Sequence, residues 1–69
     1  MNSFNYNFVR AELTRLSKTQ EDLAREVGVT GSTINRWLRG KHNPLMIYQR
    51  RITEVLGGWD AQNNQAAAG

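Results

Sequence analysis

Apolar positions recur along this chain at helical spacing, in short runs cut by polar pairs and glycines. From Phe4 to Leu16, the residues Val9, Leu13 and Leu16 stand four and three apart, with Phe8 alongside, and so share one helix face. Ser17-Lys18 breaks that pattern. Thr19 then precedes Gln20, Glu21 and Asp22. A side-chain oxygen able to cap, followed by acids in the first turn, predicts a helix start. Leu23, Ala24 and Val27 form the apolar face of this second helix, and Gly28 closes it where a left-handed residue is wanted. At about eight residues it is too short to persist alone and must dock on neighbours.

The chain restarts almost at once. Thr30 is a fresh cap, and Ile34, Trp37 and Leu38 recur at helical spacing until Gly40. Two short helices joined by about three residues that include glycine read as a helix-turn-helix, because so tight a link forces a steep crossing. Asn43 as cap and Pro44 as first helical residue predict a fourth helix. Its apolar positions are Leu45, Tyr48, Ile52, Val55 and Leu56, and Gly57-Gly58 predicts its end. Beyond lie Ala, Gln, Asn and Gly without periodicity, the composition of a disordered tail. The expectation is an all-α bundle of four to five short helices over residues 1–59, with the motif at 19–39 and a disordered tail at 60–69. No β-type alternation or internal repeat competes with it.

Composition narrows the function. Sixty-nine residues supply one core, and 39% apolar with 22% charged residues is ordinary for a globular chain. The absence of Cys excludes disulfides, thiolate metal sites and a cysteine nucleophile, and one His without an acidic trio nearby excludes a zinc site. The longest apolar run is four residues, Leu45 to Tyr48, so no membrane span and no signal-peptide core is expected. There is no nucleophile–base constellation and no Gly-rich phosphate loop, and so small a chain offers little room for a deep pocket. No enzyme, cofactor, metal or small-molecule substrate is therefore expected, and the setting expected is cytoplasmic.

The net charge is only +3, but it is unevenly placed. Residues 1–30 balance Arg10, Arg15, Lys18 and Arg25 against Glu12, Glu21, Asp22 and Glu26. Residues 31–53 hold Arg36, Arg39, Lys41, Arg50 and Arg51 and no acid. One part of the chain is a cationic face, the footprint of a polyanion partner or else a basic solvated surface. The outer face of the third helix is Gly31, Ser32, Asn35, Arg36 and Arg39: small or polar, without an acid. Such a face suits the major groove, which admits a helix and displays a full donor/acceptor code.

The stretch from Thr19 to Lys41 resembles the Cro/repressor family of helix-turn-helix regulators, the XRE-like group. The likeness rests on Thr19-Gln20, Leu23-Ala24, Gly28-Val29-Thr30, Thr33-Ile34, the aromatic Trp37, Arg39-Gly40-Lys41 and the following Pro44. It extends more loosely through Leu56. The resemblance implies a lambda-repressor-like DNA-binding domain and assigns roles to single residues. Thr30, Gly31, Ser32, Asn35 and Arg36 would read base edges, Arg36 by a bidentate pair with guanine and Asn35 with adenine. Gln20 matches the family's phosphate-clamping glutamine, and Arg39, Lys41, His42 and Asn43 lie where backbone contacts fix register.

Four positions depart from the family. Gly31 lacks the long polar side chain common there, so readout is lost or made by backbone. Lys18 stands where a leucine is frequent, as a phosphate contact or a solvated residue. Leu13 and Leu38 occupy the places of an Arg–Glu pair, an exchange of ionic for apolar that predicts contact between them.

The function implied is a sequence-specific transcriptional regulator, a phage or bacterial repressor or autoregulator acting by occupancy of double-stranded operator DNA, nucleoid-associated in the cell. One short helix contacts too few base pairs to be selective, so a homodimer on a palindrome is expected, formed in solution or only on DNA. Four successive apolar residues cannot all face one core. Met46 and Ile47 are therefore interface candidates, with Trp59, which either joins them or folds back as a lid. Trp37 and Tyr48 read as core, and Arg50 and Arg51 as a solvated face or backbone contacts. The alternative is a protein-interaction module of the same fold, adaptor or antitoxin-like, which would favour an acidic or apolar outer face on the third helix.

Overall fold

A computed structural model describes residues 4–68, with side chains through Asn63. Its described residues form four helices: α1 Tyr6–Arg15, α2 Gln20–Val27, α3 Gly31–Leu38 and α4 Met46–Ala68. The all-α expectation holds, and none of these helices is long and apolar enough to cross a membrane.

Local chemistry sets the helix ends. Asn5 caps α1, its Oδ1 accepting from the Phe8 amide at 3.0 Å. Phe4 and Val9, on either side of that cap, are both buried, the arrangement of a hydrophobic staple. The α1 helix closes with the Lys18 amide donating to Leu13 and the Ser17 amide to Thr14, which requires φ of +58° at Ser17. Thr19 and Asp22 form a reciprocal capping box at α2. Gly28 ends that helix at φ +92°, and Thr30 caps α3 by accepting from the Thr33 amide at 3.2 Å.

The core lies between the short helices and the first half of α4. Leu23, Ile34, Leu38 and Ile52 are fully buried at its centre, ringed by Val9, Leu13, Ala24, Val27, Trp37 and Leu56. Leu13 and Leu38 are both buried and border one surface recess beside Gln20. Trp37 packs on Tyr48 with ring centroids 5.5 Å apart, tying α3 to α4. Phe8, expected beside the apolar face of α1, is instead 56% exposed, because it stands about 100° round the helix from Val9.

Two expectations for the fourth helix are corrected. Asn43 does not cap it and Pro44 is not its first residue. Residues 43–45 are non-helical, Pro44 is buried, and the Leu45 carbonyl receives the first helical bonds from Tyr48 and Gln49. The Gln49 side chain donates to the Pro44 carbonyl at 2.8 Å, satisfying that group in place of helical turns.

The second correction concerns Gly57-Gly58, which do not end the helix. α4 runs through them to Ala68, across most of the segment expected to be a disordered tail. Neither glycine has positive φ. The inward face continues past them, from Ile52 and Leu56 to half-buried Trp59. Arg15 of α1 also pairs with Asp60, fixing the next turn. The 23 residues of α4 rise about 35 Å, close to the 39 Å long axis of the molecule.

Candidate nucleic-acid interface

The geometry of α3 follows from its two faces. Ile34, Trp37 and Leu38 are buried, which fixes the rotation of the helix and turns Ser32, Asn35 and Arg36 to solvent. Gly40, at φ +78°, stops the helix and redirects the chain. A Cβ there would lie 3.0 Å from the Tyr6 ring, which would have to give by a few tenths of an ångström, so glycine is favoured at this turn first by its conformation. Lys41 and His42 are thereby folded back beside the helix they follow.

The result is a shallow recess of about 570 Å³ lined by Gly31, Ser32, Asn35, Arg36, Arg39, Lys41 and His42. Seven of the ten residues assigned to DNA from the sequence are thus neighbours on one surface. No acid lines it. The ion pairs found among the described residues are Arg15–Glu12, Arg15–Asp60 and Arg25–Asp22, so Arg36, Arg39 and Lys41 keep their charge uncompensated. A concave strip of donors and unpaired cations is a surface suited to an anionic ligand.

The other three residues lie outside the recess. Thr30 is its helix cap, and its hydroxyl is engaged by the Thr33 amide and by the Thr33 hydroxyl at 2.9 Å. Asn43 is exposed in the segment leading to α4. Gln20 opens α2, and its Oε1 accepts from Nδ2 of Asn35 at 3.2 Å, so the two motif helices are joined at the edge of the outward face of α3.

The sequence pattern marks Glu21 only as a first-turn acid, and the structure brings it to this region. Its carboxylate lies over Gly31, in the space that a side chain at that position would fill. The bare first position of α3 was the available signal, since a missing side chain leaves room for a neighbour's.

The interface candidates separate into two places. Met46 and Ile47 are 58% and 64% exposed, next to Leu45 at 70%. Trp59 is about 20 Å further along α4, half-buried against the core, with Lys18 Nζ 5.1 Å from its ring centroid. Of the two possibilities open for Trp59, this packing is the folded-back one. Lys18, expected as a phosphate contact or a solvated residue, rests on that ring.

A family model described as helix-turn-helix matches residues 9–58, from within α1 to the glycine pair of α4. The chain belongs to the helix-turn-helix family. A curated relative from Methanothermobacter thermautotrophicus, described as an uncharacterized HTH-type transcriptional regulator, is 41% identical over 49 residues. That alignment covers 71% of this chain and 71% of the relative. No solved structure matches the chain. In this helix-turn-helix protein the turn is Gly28 to Thr30, and α3 is the second helix of the motif, with its outer face in solvent.

Proposed function

We propose that this protein is a sequence-specific, double-stranded DNA-binding transcriptional regulator that lays α3 in the major groove. The recess on α3 carries the reading: Ser32, Asn35, Arg36, Arg39 and Lys41 converge there, and none of the three cations takes part in an ion pair found among the described residues. Asn35 and Arg36 have the donor and acceptor patterns to pair with adenine and guanine edges, and Ser32 serves either. Arg39, Lys41 and His42 border the same strip and hold phosphates, with Asn43 beyond them and Gln20 at the amino end of α2. Regulation works by occupancy, as a repressor or autoregulator of the kind phages and bacteria use.

The protein acts on a palindromic operator as a homodimer. Leu45, Met46 and Ile47 support this, as three consecutive apolar side chains left in solvent beside the reading helix's exit loop. The same patch supports a second reading, a protein-interaction module that docks a different partner.

Selection of bound sequences from a random duplex pool, followed by footprinting, tests both. The expected result is one symmetric site whose half-sites lie about one turn, near 34 Å, apart. A pool that stays unenriched at low salt would overturn the regulator reading. An enriched but asymmetric single site would overturn the dimer.

A further inference from the structure

The first residue of α3 is Gly31, which lines the recess but presents no side chain to it. A Cβ built on Gly31 would clash with Oε1 of Glu21 and lie 2.8 Å from its Cδ. The Glu21 carboxylate therefore stands in for a side chain at the leading position of the reading helix. Glu21 is exposed and takes part in none of the ion pairs or side-chain hydrogen bonds found among the described residues.

An ionised carboxylate only accepts hydrogen bonds. In the major groove guanine offers acceptors at O6 and N7, and thymine an acceptor at O4, so both repel it. Adenine offers an amine but sets the N7 acceptor beside it. Cytosine alone offers an amine, N4, without an adjacent acceptor on its own edge. We propose that Glu21 reads a cytosine N4 amine in the major groove, replacing the absent side chain of residue 31. This rests on the DNA-binding reading of α3. The same charge weakens binding wherever no amine meets it, because a bare carboxylate then faces a polyanion.

The test is duplex-pool selection with the full chain and three variants. The wild type should enrich a cytosine at one position per half-site, and Glu21→Ala should lose that preference by about 5- to 150-fold while leaving the other positions intact. Gly31→Ala should lose the same preference with the charge retained, since its Cβ displaces the carboxylate. Glu21→Gln should shift the position to adenine, whose N6 and N7 suit an amide. Thermal melts by circular dichroism confirm that each variant is folded before it is scored. An enriched motif identical in wild type and Glu21→Ala overturns the role of Glu21 and leaves the regulator reading standing. No enriched motif with the wild type overturns both.

Discussion

Nδ2 of Asn35 donates to Oε1 of Gln20 at 3.2 Å, linking the middle of α3 to the first residue of α2. The bond uses one amide hydrogen of Asn35 and leaves its Oδ1 and second N–H free, the two groups an adenine edge requires. On the proposed reading, Gln20 would orient a base reader as well as hold a phosphate. Gln20→Ala should therefore weaken binding generally and also blur the adenine position by about 0.5–1.5 kcal/mol. In a Gln20→Ala/Asn35→Ala cycle measured by duplex titration, the two losses should overlap rather than add. Strict additivity would mean that the pair is not coupled on DNA.

Arg36 and Arg39 are both exposed cations of the same recess, yet they differ in position. Arg36 lies within α3 on its outward face, whereas Arg39 caps the helix where the chain turns away. Arg36→Ala should relax preference at one base pair per half-site by about 1–3 kcal/mol. Arg39→Ala and Lys41→Ala should weaken all sequences alike and flatten the dependence of log K on log salt by about 0.9 for each phosphate no longer neutralised. Equal losses on operator and random duplex after Arg36→Ala would reassign it to the backbone.

The capping box that starts α2 carries a pH dependence of known sign. The Thr19 amide donates to Asp22 Oδ2 at 2.9 Å, and this bond, with those from the Thr19 hydroxyl and the nearby Lys18 and Arg25 charges, holds the Asp22 carboxyl below its ordinary value. A group with a depressed folded-state pKa stabilises the fold above its unfolded pKa, and that contribution fades as pH falls through the folded value. The melting-temperature difference between wild type and Asp22→Asn should be constant above about pH 5 and shrink below about pH 4. Glu12, held down in the same direction by Arg15, remains in both proteins and cancels. A difference that widened on acidification would contradict the box.

Which parts of this architecture could be read from sequence follows from how local their causes are. The caps at Thr19 and Thr30, and the stop at Gly28, depend on groups within a few residues and were legible. The outward face of α3 was legible too, because burial of Ile34 and Trp37 fixes which side of the helix remains in solvent. Ser17 was harder: it takes φ +58°, a conformation more usual for glycine, because the Leu13 and Thr14 carbonyls are satisfied only by that turn. Leu45 has no side-chain oxygen and could not announce a helix start, whereas Asn43-Pro44 falsely did. The Glu21–Gly31 approach joins two helices through the turn geometry, and no pattern of apolar positions encodes it.

Gly57 and Gly58 were the strongest stop signal in the second half of the chain, and Arg15–Asp60 and Lys18–Trp59 outweigh it from 45 and 41 positions away. Because α4 runs through them, both glycines sit in a helix interior, where glycine is less favourable than alanine by about 0.5–1 kcal/mol each. A Cβ at either position meets nothing within 4 Å, so alanine adds no clash. Gly57→Ala and Gly58→Ala should then each raise the melting temperature, by roughly 2–8 °C for a domain of this size. Were one of them a left-handed terminator, alanine would cost about 1–2 kcal/mol there and the melting temperature would fall. The sign of that shift distinguishes a helix anchored by Trp59 and Asp60 from one that ends at the glycine pair.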